Sequence, residues 1–162
     1  MMTKQLKMHK KISLTNLYFN RFLAIRYSTA FFLFLNLYWA VFLIGSNSFV
    51  ASLPIVIFVL AILTSFEQIK LYRNHNNYLP YAKLFYQTIL ISYSIVIILL
   101  YTSWFHFFFP FLKDTQEVLN TIMGLLIGCL LIAFLMLKKL KRIQCNADKH
   151  FQRICAYEEI NK

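Results

Sequence analysis

The side chains of this 162-residue chain best suited to acid–base or metal chemistry are six carboxylates, four histidines and three cysteines. Cys145, His150 and Cys155 are evenly spaced, five residues apart, as a ligand set can be. On a helix, steps of five rotate by about 140° beyond a full turn, so the three side chains diverge. No C-x-x-C pair supports a zinc site, and no metal or cofactor is expected. The histidines His9, His75, His106 and His150 are isolated from one another. His106, inside the aromatic segment Trp104–Phe111, could sense pH or bind a ligand; its plain reading is an amphipathic residue at a membrane boundary.

Ion coupling inside a membrane is usually marked by an acidic residue within a span. Glu67, Asp114, Glu117, Asp148, Glu158 and Glu159 all avoid the centres of the apolar runs. A charge at the bilayer centre costs about 2.5–3.5 kcal/mol on insertion scales, and nothing here bears that cost. Glu67, at the end of the second run, is placed to pair with Lys70 or Arg73, or to take part in a gate. Nucleotide-binding loops, nucleophile elbows and zinc-protease helix motifs are missing from the sequence. The chain is therefore read as non-enzymatic.

What remains is the chemistry of packing. Gly124 and Gly128 form a G-x-x-x-G, and they are two of only three glycines. That spacing lets two helix backbones approach closely, within one bundle or between two chains. Asn36, Thr64, Ser65, Thr88, Ser92, Tyr93, Ser94, Thr102 and Ser103 lie within apolar runs. Hydrogen bonds between helices are their expected use, with Thr88 and Ser92 starting a polar stripe on the third run.

The elements that must carry these residues follow from composition. Apolar residues make up 59% of the chain, against about 45–50% in soluble domains. They fall into four runs, about 27–44, 49–66, 84–109 and 118–137. About 20 apolar residues in a helix cross the hydrocarbon layer. The pattern predicts an all-α, multi-pass domain of four transmembrane helices covering residues 1–162. The third run is long enough to require tilt. The first run reads as a span rather than a cleaved signal peptide, because the leader 1–26 is long and no small-x-small site follows the run. Pro54 falls in the first turns of span two, where it disturbs least. The polar stretch Asn74–Asn77 reads as a turn, and no inverted repeat of the transporter type stands out.

Charge sets the expected orientation. Of the 17 basic residues, all but Lys113 lie in three segments, 1–26, 67–83 and 138–162. Four spans put those segments on one side. The positive-inside rule makes that side the cytoplasm, so both termini are expected there, in the cell membrane. The net charge of +11 suits anionic lipid headgroups. Nucleic acid is not an expected partner, because neither tail is long enough for a folded recognition module.

Two further helical features are expected. Leu14, Leu17, Tyr18, Phe22 and Ile25 suggest a short interfacial helix before the first span, the alternative being a simple cytoplasmic extension of that span. Leu140, Ile143, Ala147, Phe151 and Ile154 recur at three- and four-residue steps, predicting an amphipathic helical extension of span four. Leu140, Ile143, Phe151 and Ile154 are thus candidate contacts for lipid or a partner. The expected role is an accessory or regulatory subunit acting by contact with another membrane protein or with a second copy. Bacteriocin-immunity-type proteins, also small, basic and multi-span, are an alternative by size and topology alone. A small oligomeric transporter or channel is a third reading.

Overall fold

The computed structural model describes residues 2–73, 78–100, 104–113 and 115–160. The proposed turn at Asn74–Asn77, together with Thr102, Ser103 and Asp114, lies outside the described residues. Among the described residues the structure is helical, with no strand. Helix α1 runs Met2–Gly45, α2 Ser52–Arg73, α3 Pro80–Leu100, α4 Phe105–Phe108, α5 Gln116–Gln144 and α6 Lys149–Ile160. Four stretches are long and apolar enough to cross a membrane: Phe19–Gly45, Phe49–Leu71, Pro80–Leu100 and one within Gln116–Cys155. This is the architecture of a multi-pass membrane protein.

The long helices form a ring in which α1 packs on α2, α2 on α3, α3 on α5 and α5 on α1. The α1–α5 seam is the narrowest of the four. Helices α1 and α3 lie across the diagonal, where large rings bridge the distance. Phe32 of α1 meets Phe85, Tyr86 and Tyr93 of α3 edge to face, with centroids 6.2, 6.2 and 6.3 Å apart. Such geometry places a ring's positive edge on its neighbour's negative face.

Three details depart from the sequence expectations. First, no separate interfacial helix precedes span one: α1 is continuous from Met2. At about 1.5 Å per residue its 44 residues extend about 66 Å, roughly twice the hydrocarbon thickness. Its first part therefore projects beyond the bundle. Second, the long third run does not form one tilted helix. Helix α3 is described as far as Leu100, Trp104 is a turn residue, and Phe105–Phe108 forms the short α4. Phe105, Phe108 and Phe109 are buried. Trp39 of α1 stacks on Phe109 at 5.6 Å and donates its indole N–H to the Phe108 carbonyl at 3.2 Å. Ser48 donates to the Phe107 carbonyl. Burial of three Phe rings and satisfaction of exposed carbonyls favour folding back over the bundle end.

Third, the helical extension of span four is not continuous: α5 carries on past Leu137 but breaks within the tail. It ends at Gln144, and a new helix begins at Lys149. The stop is a Schellman motif: Ala147 N–H donates to the Arg142 carbonyl, Asn146 N–H to that of Ile143, and Asn146 takes a φ of 54°. The same motif ends α1, where Asn47 has φ 50° and Ser48 N–H reaches the Leu43 carbonyl. Asparagine tolerates the left-handed conformation because its short amide bonds locally. Two asparagines thus end helices that glycine more often ends.

In mid-bundle, Asn36 donates to the Phe32 carbonyl of its own helix and accepts from the Tyr93 hydroxyl at 3.3 Å. Tyr93→Phe should remove that link and cost about 0.6 kcal/mol, the average for such bonds in membrane bundles. Reversible unfolding in detergent measures it, and a loss of several kcal/mol would show that the hydroxyl supports much more than this bond.

Candidate functional site

The buried residues of α1 include Arg21, Ile25, Thr29, Phe32, Asn36, Trp39 and Leu43. Their steps of three and four place them on one face of the helix. Four of the seven carry polar groups, so this stripe is both core and hydrogen-bonding ladder. The charged residues concentrate towards one end of the bundle, called here the basic end. Trp39 lies at the opposite, aromatic end.

Arg21 occupies the rung at the basic end. It is 1% exposed, and its partner Asp148 is 9% exposed. The Arg21 Nε donates to both carboxylate oxygens at 3.1 and 3.0 Å. Its Nη2 donates to Asp148 Oδ1 at 2.6 Å, to Asn146 Oδ1 at 2.9 Å and to the Ile143 carbonyl at 3.1 Å. The guanidinium also lies over the Phe151 ring, 5.0 Å from its centroid, a cation–π contact.

Each partner is presented by local structure. The Ile143 carbonyl belongs to the last turn of α5, where chain carbonyls lack helical donors. Asn146 sits in the Schellman turn and uses its side chain for Arg21. Asp148 precedes α6 and caps it, accepting the Phe151 N–H at 3.2 Å. A carboxylate there also meets the positive end of the helix dipole. The guanidinium therefore joins the end of α5, the turn and the start of α6 to the projecting part of α1.

The second rung joins three helices. Gln68 of α2 donates to Thr29 Oγ1 at 2.9 Å, and Thr29 Oγ1 lies 3.1 Å from the Tyr86 hydroxyl of α3. Tyr86 also donates to the Ile25 carbonyl. The Asn36–Tyr93 rung lies seven residues further along α1, about 10 Å away. That gap exceeds any direct hydrogen bond, so the two rungs are separate. Among the described residues, no buried side-chain nitrogen or oxygen is left without a partner.

The residues singled out from sequence fall in different places. Leu140, Ile143 and Ile154 are buried inside the chain's own basic end, and Phe151 is half-buried beneath Arg21. Much of the apolar stripe expected to face lipid or a partner is therefore buried within the chain, its α6 part packing on α1. Gly124 is exposed and Gly128 half-buried, and a Cβ built on either would meet nothing within 4 Å. Neither glycine thus packs against a neighbouring helix of this chain. Thr88 donates back to the Leu84 carbonyl of its own helix rather than across the bundle. His106 is exposed on α4. No cluster of metal-ligating side chains occurs among the described residues.

Glu67 also has a specific place. Its carboxylate accepts the backbone N–H groups of Tyr81 at 3.3 Å and Ala82 at 2.9 Å. It thereby caps the start of α3 from a different helix, since Leu79 has no side-chain acceptor. Pro80 begins α3, where its missing N–H is harmless. The expected pairing with Lys70 is not formed.

The Arg21–Asp148 site escaped the sequence reading, although signals for it were present. Arg21 falls four residues from both Leu17 and Ile25, on the apolar side of α1. The stretch Asn146-Ala147-Asp148 combines a left-handed former with a helix-capping residue. Compared with known protein families, curated proteins and solved structures, the chain matches none.

Truncating one member of a buried ion pair leaves the other charge unpaired and costs about 3–5 kcal/mol. Asp148→Ala should therefore unfold more readily in detergent and expose α6 to protease. Replacing both members, as Arg21→Met with Asp148→Leu, should recover most of the loss. A deficit of about 1 kcal/mol should remain from the missing helix cap. Equal instability of the single and double variants would show that the charges themselves are not the main cost.

Proposed function

We propose that this chain is a non-catalytic protein of the cell membrane, with both termini in the cytoplasm. In this reading it acts as an accessory or regulatory subunit by packing another membrane protein, or a second copy, against α5. The observation that carries the reading is the open pair Gly124 and Gly128, with no neighbouring helix of the chain within contact distance of a Cβ at either position. A glycine within a helix costs about 1 kcal/mol relative to alanine. On a surface facing only lipid, the close-approach geometry of two glycines four residues apart gains nothing. A neighbouring helix turns that spacing into backbone contact.

Two further features support the reading. Helix α5 is the least covered span: 17% of its most apolar stretch is buried within the chain, against 33% for each of the other three. Of the buried polar side chains, by contrast, Arg21, Thr29, Asn36, Gln68 and Asp148 join separate elements of the chain. The orientation follows from charge. Lys138, Lys141 and Arg142 are exposed on α5, and this clustering suits the side that retains lysine and arginine during insertion.

Gly124→Leu and Gly128→Leu should abolish association while leaving the isolated bundle as stable as before, or more so by helix propensity. Chemical crosslinking in native membranes and thermal unfolding in detergent measure the two effects separately. Lowered stability with unchanged crosslinking would assign the glycines to internal packing and remove the proposed surface. Reporter fusions at Lys162 and at Asp114 should report opposite compartments, with Lys162 cytoplasmic. An external signal at Lys162 would overturn the orientation.

A further inference from the structure

A cleft of about 410 Å³ opens between the end of α2 and the start of α3. Leu63, Phe66, Glu67 and Lys70 line it from α2, and Tyr78 and Tyr81 line it from the α3 side. The α2 residues occupy one face of the helix and divide by chemistry along it. Leu63 and Phe66 lie towards the middle of the span; Glu67 and Lys70 lie towards its end. The distance from Leu63 to Lys70 along the axis is about 10 Å. That length matches the transition from the first acyl carbons of a lipid to its headgroup. Leu63 is 44% exposed and Phe66 59% exposed, so the apolar end of the cleft opens directly onto the lipid-facing surface.

The polar end carries one charge of each sign. Glu67 is held in place by the Tyr81 and Ala82 N–H groups. These bonds engage about half of a carboxylate's acceptor sites, leaving others for a cationic donor. Lys70 is exposed and forms no ion pair among the described residues. The Tyr78 and Tyr81 rings flank the cleft, two amphipathic side chains of the type that settles at a membrane boundary. We propose that this cleft binds the headgroup of a phospholipid bearing a primary ammonium, its phosphate on Lys70 and its amine on Glu67.

The charge pattern separates this ligand from its relatives. A choline headgroup has the same net charge but no N–H to donate to Glu67. A glycerol headgroup offers the phosphate and leaves Glu67 facing no cation. Free inorganic phosphate could meet Lys70 but would not use the apolar wall of Leu63 and Phe66. The inference is independent of the role proposed for Gly124 and Gly128, because it concerns the opposite chemistry on different helices.

The test is native mass spectrometry of the full chain in detergent, titrated with phosphatidylethanolamine, phosphatidylcholine and phosphatidylglycerol of identical acyl chains. Phosphatidylethanolamine should be retained most strongly. Lys70→Gln should weaken that retention about tenfold, as loss of one charge-assisted contact implies, and Lys70→Arg should preserve most of it. Glu67→Gln should remove the preference for the ethanolamine over the choline headgroup. Circular dichroism melting checks that the Glu67 variant, which keeps an acceptor for α3, remains folded. Equal retention of all three lipids, or an unchanged Lys70→Gln variant, would overturn the proposal by reducing the cleft to ordinary lipid contact. Displacement of the lipid by millimolar inorganic phosphate would also overturn it, assigning Lys70 to an aqueous anion.

Discussion

A guanidinium removed from water must find acceptors for its N–H groups and a counter-charge, and at Arg21 this requirement organises one whole end of the protein. A free charge in that position would cost several kcal/mol. The Ile143 carbonyl, the Asn146 amide and the Asp148 carboxylate meet the requirement together. They can do so only because α5 stops, turns and restarts as α6. The turn is itself fixed by the left-handed Asn146 and by the Asp148 cap. The ion pair therefore ties the turn to α1 in one geometry, whatever its net contribution to stability after desolvation.

The same constraint, applied without a full charge, runs the length of α1. Thr29, Asn36 and Trp39 each place a polar atom inside the bundle, and each meets a group on another element. In a low-dielectric interior an unmet hydrogen-bonding group is expensive. Each rung therefore selects the rotation of its helix against its neighbours. Apolar packing alone tolerates such rotation more readily, because lipid and core side chains are equally apolar and burial drives little association. The aromatic rings across the α1–α3 diagonal fill the space, and the hydrogen bonds choose the alignment.

This division leaves two kinds of surface. Around most of the bundle the exposed Phe, Ile and Leu side chains form a surface suited to lipid. Two places differ. On α5 the glycine pair leaves the backbone bare. Between α2 and α3 a cleft joins an apolar wall to one charge of each sign. The first shape favours a helix and the second a headgroup. Neither competes with the internal network, since the ladder residues face inward.

The four spans, the concentration of basic charge and the glycine motif were readable from the sequence, because each depends on local composition and short-range spacing. An apolar run of sufficient length crosses a bilayer whatever its neighbours do. Where the runs end was less readable: Tyr93 and Trp39 look like any amphipathic residue until a partner helix is in place, and Trp39 is what holds Phe109 and the Phe108 carbonyl at the end of α4. The pairing of Arg21 with Asp148 joins residues 127 positions apart. In sequence one belonged to a basic leader and the other to a basic tail, both apparently solvated. Only the tertiary structure decided that these charges are buried, because burial is set by which helices meet, and the hydropathy of a run is silent about its neighbours. The stripe Leu140, Ile143 and Ile154, expected from sequence to contact lipid or a partner, is buried within the chain. That α6 returns to α1 was decided by the turn at Asn146 and by the counter-charge on Arg21.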